Sequence, residues 1–199
     1  MQQTIERALV PSSSWLKLYY YARFAFSAVW VLLAFTVAKT MPQLAATMLV
    51  AYPAWDAAAN ALDAHRNGGL RRNKTQMLNF IVSAITTVAV AIGLSRGMNA
   101  VMEVFGVWAV LSGALQLSTA VRRWKSSGAQ WAMILSGAQS ALAGVFFVKM
   151  AGGAHVAGIA DIAPYAAFGA LYFLISAVWL TVVDARRSFS AQKLYESPR

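Results

Sequence analysis

The sequence predicts an all-α polytopic membrane protein: six transmembrane helices, arranged as three repeated helical hairpins, with both termini in the cytoplasm. Three observations predict it. Six apolar runs are each long enough to cross a bilayer, the basic residues sort to one side of the resulting topology, and basic pairs recur at a nearly constant interval. A helix needs about 20 mostly apolar residues to span a hydrocarbon core of about 30 Å. Composition agrees, since 59% of the 199 residues are hydrophobic and only 12% charged, against about 25% charged in a soluble domain. Mean hydropathy is +0.53.

Residues 1–17 are expected to form a cytoplasmic N-terminal segment. Within it Gln2–Leu9 can form a short amphipathic helix, which Pro11 and the serines Ser12, Ser13 and Ser14 end while offering caps to the next helix. The first span, Leu18–Lys39, is longer than a signal-peptide core and contains Arg23, so it is expected to be an uncleaved anchor. Trp15, Tyr19, Tyr20 and Tyr21 cluster where it meets the interface, a depth that suits rings with a polar edge. The second span is Gln43–Ala64, with Pro42 at its start, where a missing N–H costs nothing. Thr75–Leu94, Asn99–Val121 and Gln130–Met150 follow, and Pro164–Asp184 completes the membrane domain of residues 18–184. The Gly- and Ala-rich stretch Ala151–Ala163 reads as a flexible external loop that could also lie along the interface or dip part way in, and residues 185–199 as a cytoplasmic tail. Six spans of about 21 residues leave no room for a second domain.

The net charge of +10 would suggest nucleic acid in a soluble protein, but its distribution is a topology signal. Of seventeen Lys and Arg, only Lys39, Arg96 and Lys149 fall on one side; the other fourteen lie with the two termini and the loops between spans 2–3 and 4–5. Short basic loops stay cytoplasmic, so a multi-pass membrane protein with both termini in the cytoplasm, the bilayer as its main partner and no nucleic acid, is expected. Every even-numbered span ends at a basic pair, His65-Arg66, Arg122-Arg123 and Arg186-Arg187, whose second members are 57 and 64 residues apart. Such a period marks a repeat.

Span 2 carries the strongest candidate site. Asp56, Asn60 and Asp63 are spaced i, i+4 and i+7, on one helical face. An acid near the centre of a span costs about 2.5–3.5 kcal/mol on insertion scales, so it should face protein or water and find a partner. Arg23 in span 1 lies at a depth to meet Asn60 and, by leaning, either acid. Two readings stay open: a proton-titratable or cation-binding site built on Asp56 and Arg23, or a structural ion pair with Asp63 merely exposed at the interface. Asp184 is expected to be solvated beside Arg186 and Arg187.

Small-residue stripes mark the other candidates. Span 4 carries Gly106, Ala109, Gly113, Gln116 and Ala120; span 5 carries Ser136, Gly137, Ser140, Ala141 and Gly144; span 6 has Gly169 and Ser176. Lipid gives helices no hydrophobic reason to associate, so close approach through Gly106, Gly113, Gly137 and Gly144 is the expected packing device; a channel lined by the same faces is the alternative. Catalytic chemistry has little to work with. There is no cysteine, and His65 and His155 fall on opposite sides of the membrane, so no metal or other cofactor is expected. No phosphate loop, HExxH or GxSxG pattern occurs, so the protein is not expected to be an enzyme.

Phe105–Arg123 (FGVWAVLSGALQLSTAVRR) joins Trp108, a Gly113 step and a terminal Arg pair. Trp131–Val148 (WAMILSGAQSALAGVFFV) is a Gly-containing span opening a hairpin, and Ala51–Ala64 (AYPAWDAAANALDA) holds Asp56 after a Tyr. In these features, and in Arg23 near the start of the first core helix, the chain from about Tyr21 to Arg187 resembles the HdeD-like short-repeat membrane family. Ala57 stands where a Gly usually follows the Asp, and Phe24 where a small residue follows the Arg. The resemblance implies a six-helix inner-membrane protein associated with acid or envelope stress resistance, and it brings no catalytic residues. A small transporter or channel using Asp56 and Arg23, and an accessory subunit or homo-oligomer binding another membrane protein through its small-residue faces, are the alternatives.

Overall fold

A computed structural model describes residues 13–123 and 130–196. Among these, the chain is all-helical: α1 Ser13–Thr36, α2 Pro42–Arg66, α3 Lys74–Leu94, α4 Met98–Arg123, α5 Gln130–Ala151 and α6 Ile159–Glu196, with one 3₁₀ turn at Ala38–Thr40. Gln2–Leu9, Pro11 and Ser12 lie outside the described residues, as do the side chains of Arg122, Arg123, Trp131 and Arg187. Ser13 and Ser14 stand in the first turn of α1.

Five of the six helices are long and apolar enough to cross a membrane by length and composition. α2 is the exception. Its 25 residues suffice in length, but alanines and the polar set Asp56, Asn60 and Asp63 lower its hydropathy. Leu32, Ile85, Leu142 and Trp179 remain 62–71% exposed, the outward apolar face expected where the neighbour is lipid.

The described connections end their helices by recognisable means. Gly69 N donates to Ala64 O at 2.7 Å, and Gly68 takes φ +93°, a left-handed stop that side chains with a Cβ resist. Pro42 opens α2, as its sequence position predicts. α6 departs from expectation at both ends. It begins at Ile159, where the Asp161 carboxylate accepts from Gly158 N at 2.7 Å and ties off the first turn. Pro164 is therefore inside the helix, not at its start. The external loop shrinks to residues 152–158. It is pinned by Asn99, whose side chain donates to His155 O at 2.9 Å and accepts from Ala157 N at 2.8 Å. At the other end α6 runs on to Glu196, so most of the expected tail is helix.

The pairing of helices also differs from three sequential hairpins. The closest backbone packing joins α4 to α5, then α1 to α6, α2 to α3 and α3 to α4, while α1–α2 and α5–α6 approach closely at few points. The reason is side-chain size. α1 and α2 meet through large rings, with Phe26 stacked on Trp55 at 4.8 Å and Trp30 against Tyr52 at 4.9 Å, which hold the two backbones apart. α4 and α5 meet through glycine. A methyl group at Gly113 would lie 2.5 Å from Gly137 O, and one at Gly106 2.8 Å from Gly144 O. The helices thus form a ring closed by the first and the last. Lys17 Nζ lies 2.9 Å from Asp184 Oδ2, and the Tyr21 and Thr181 hydroxyls are 3.2 Å apart. Asp184 is therefore paired, not simply solvated.

Pro53 sits fully buried within α2. Lacking an N–H, it leaves the Leu49 carbonyl without its helical donor. One residue away, Trp30 Nε1 donates to Met48 O at 2.8 Å and fastens α1 to this weakened turn.

Candidate functional site: a polar cavity inside the ring

Asp56 is the hub. Arg23 Nη2 of α1 donates to its Oδ1 in a direct ion pair. Its Oδ2 accepts from Ser83 Oγ of α3 at 2.7 Å and from Asn60 Nδ2, one turn along α2, at 3.1 Å. Ser83 in turn accepts from Trp108 Nε1 of α4 at 3.2 Å. One relay therefore crosses four helices, from Arg23 through Asp56 and Ser83 to Trp108. Arg23 also donates to Tyr19 OH at 2.8 Å, and its guanidinium lies 4.3 Å from the centre of the Phe173 ring of α6. A carboxylate offers about four lone-pair sites, and three are filled here. Among the described residues, the Arg23 Nε atom and Trp55 Nε1 find no hydrogen-bond partner, though both are buried.

Asp63 belongs elsewhere. Its carboxylate accepts from Trp15 Nε1 at 3.3 Å, Asn67 Nδ2 at 3.0 Å and Gln76 Nε2 at 3.2 Å. It is buried rather than exposed at an interface. Trp15 is drawn inward by that bond, and Arg66 lies 4.7 Å from its ring centre. The i, i+4, i+7 set thus serves two stations, Asp56 with Asn60 in mid-helix and Asp63 one turn from the basic end. Asn60 supports Asp56 and does not bridge it to Arg23.

A cavity of about 830 Å³ opens beside the ion pair. Arg23 and Asp56 form part of its wall, joined by Asn79, Ser112, Gln116 and Gln139. An aromatic tier bounds it: Tyr52 against Trp108 at 5.9 Å, then Trp108 against Tyr165 at 6.4 Å. The small-residue stripes divide between two roles. Gly106, Gly113, Gly137 and Gly144 pack α4 on α5, while Ser136 and Ser140 turn to the cavity. Ser140 also donates to Ala109 O at 3.0 Å and meets Tyr165 OH at 3.0 Å. Across the open α5–α6 seam, Tyr172 OH donates to Gln139 Oε1 at 3.0 Å.

Ser83, Phe173 and Gln139 are not among the residues expected from sequence, and Tyr19 was expected only as an interfacial anchor, not as a partner of Arg23. Ser83 and Gln139 carry a signal, being polar residues inside apolar spans; Tyr19 and Phe173 look like any interfacial or lipid-facing ring. His155 lies 3.1 Å from Asp161 at the far end of the ring, with His65 at the basic end. Among the described residues, no three His, Asp or Glu side chains converge as a metal site would require.

Residues 81–149 match a family described as a short repeat of unknown function (DUF308). The match covers Ser83, Trp108 and all four packing glycines, and leaves Arg23 and Asp56 outside it. No curated protein and no solved structure matches the chain. With five helices able to cross a bilayer, these findings describe a multi-pass membrane protein of unknown function.

Proposed function

We propose that this is a non-enzymatic protein of the bacterial inner membrane, of the HdeD-like kind, that serves acid or envelope stress resistance by passing a small solute through the cavity at Arg23 and Asp56. All six helices span the membrane and both termini are cytoplasmic; α2 crosses with its polar face turned to the ring interior. One observation carries the reading. A structural ion pair in a scaffold should be closed over by packing, whereas here a cavity of about 830 Å³ is lined by both residues of the pair. That volume falls within the range of small-molecule sites, about 300–1,000 Å³. The carboxylate is also adjustable, because Ser83 and Asn60 continue to hold it if Arg23 moves away.

The test is survival of a bacterial strain lacking the protein after acid challenge, with the wild type, Asp56→Asn or Arg23→Gln restored at equal membrane abundance. Wild-type rescue with failure of both variants is expected. Full rescue by Asp56→Asn would reduce the pair to a structural element and overturn the reading.

A further inference from the structure

The α5–α6 seam says what kind of molecule can reach the cavity, and from which side. Leu135, Leu142 and Phe146 of α5 and Phe168 of α6 all line the cavity and are 51–71% exposed, while α5 and α6 approach closely at few points. The seam between them therefore opens the cavity sideways, and its rim is apolar. An opening onto water would be rimmed by polar groups; this one suits hydrocarbon. The lining runs from Leu135 to Phe147 on α5 and from Asp161 to Phe173 on α6, about 18 Å at 1.5 Å per residue, so the space is an elongated slot.

The slot's charge restricts its occupant. Among the described residues, its interior holds one positive and one negative side chain, Arg23 and Asp56, already joined to each other. Asp161 lies at the far end, held by His155 and Gly158 N. The remaining polar wall is uncharged amide and hydroxyl, chiefly Asn79, Ser112, Gln116 and Gln139. A charged headgroup would have to break the ion pair or remain uncompensated away from water, and both are costly. A hydroxyl-bearing headgroup meets donors and acceptors without either penalty.

We infer that the slot binds a neutral, hydroxyl-bearing single-chain amphipath drawn from the bilayer through the α5–α6 seam, its head beside Gln116 and Gln139 and its chain lying along the slot. This rests on the proposed solute site and names its ligand class.

The probes are monomyristoylglycerol, myristate, tetradecyltrimethylammonium and glycerol, each added to the purified protein in detergent while thermal unfolding is followed. Monomyristoylglycerol at a hundredfold excess over its Kd should raise the Tm by about 5–10 °C, and glycerol alone should not. Ser136→Trp, which fills the slot, should abolish the shift; Leu32→Trp, on the exposed face of α1, should preserve it. If Ser136→Trp fails to fold, the double variant Gln116→Leu with Gln139→Leu takes its place. An equal or larger shift from either charged analogue would overturn the neutral assignment. A shift that persists in the slot-filled variant would make it a surface detergent effect, and no shift with any probe would end the proposal. Binding without acid rescue by the wild type would sink the stress-resistance reading and leave this one standing.

Discussion

Arg23 and Asp56 neutralise each other in the cavity wall, and removing either leaves the other without its counter-charge. Arg23→Ala or Asp56→Ala alone should each destabilise the fold by about 3–5 kcal/mol, and the double variant by less than the sum. A double-mutant cycle from unfolding in detergent checks this; simple additivity would show that the pair contributes nothing as a pair. Asp63 is a different case, a buried carboxylate held by three N–H donors and no cation among the described residues. Asp63→Asn keeps the shape but turns an NH₂ toward a donor, at an expected cost of about 1–3 kcal/mol in the same assay. Much of this was legible from residue type and spacing, because a charge inside an apolar span must find a partner. The split of the polar face into two stations was not, since helical periodicity fixes which residues share a face and says nothing of what stands opposite.

At the level of elements, glycine decides which helices touch. Gly137→Leu or Gly144→Leu should cost about 1–3 kcal/mol or more, because even a methyl group at Gly137 would come within 2.9 Å of Gly113 O. Gly152→Ala, with no neighbour closer than 3.8 Å, should stay within about 0.5 kcal/mol. Melting temperatures of the three variants, measured side by side, distinguish close backbone contact from a general intolerance of substitution. Helix positions were readable from apolar length. Pairing was not: a repeat period shows that hairpins recur, but whether the two arms of a hairpin touch depends on the size of the facing side chains. Phe26 and Trp55 prop α1 and α2 apart, where Gly113 and Gly137 let α4 and α5 close. The start of α6 was missed for a local reason, as Asp161 can cap a turn ahead of Pro164 that hydropathy alone assigns to loop.

For the whole molecule, the short-range contacts put the start of α1, the end of α2, the start of α3 and the end of α6 together, through Trp15 with Asp63, Gln76 with Asp63, and Lys17 with Asp184. This is also the end rich in Lys and Arg. A reporter active only outside the cytoplasm should therefore be silent when fused at the C-terminus and active when inserted near Arg96 or His155. The reverse pattern would invert the molecule in the membrane. The ring was the least legible feature, because it depends on contacts between residues far apart in sequence, and no local pattern encodes those. That closure has a consequence for biogenesis. Tyr21 and Thr181 are 160 residues apart, so at about 5–20 residues per second the first helix waits about 10–30 s for the last. Through that interval the counter-charge of Arg23 comes from α2, which emerges next from the ribosome. The ion pair is thus also an early clasp, formed while four helices are still to be made.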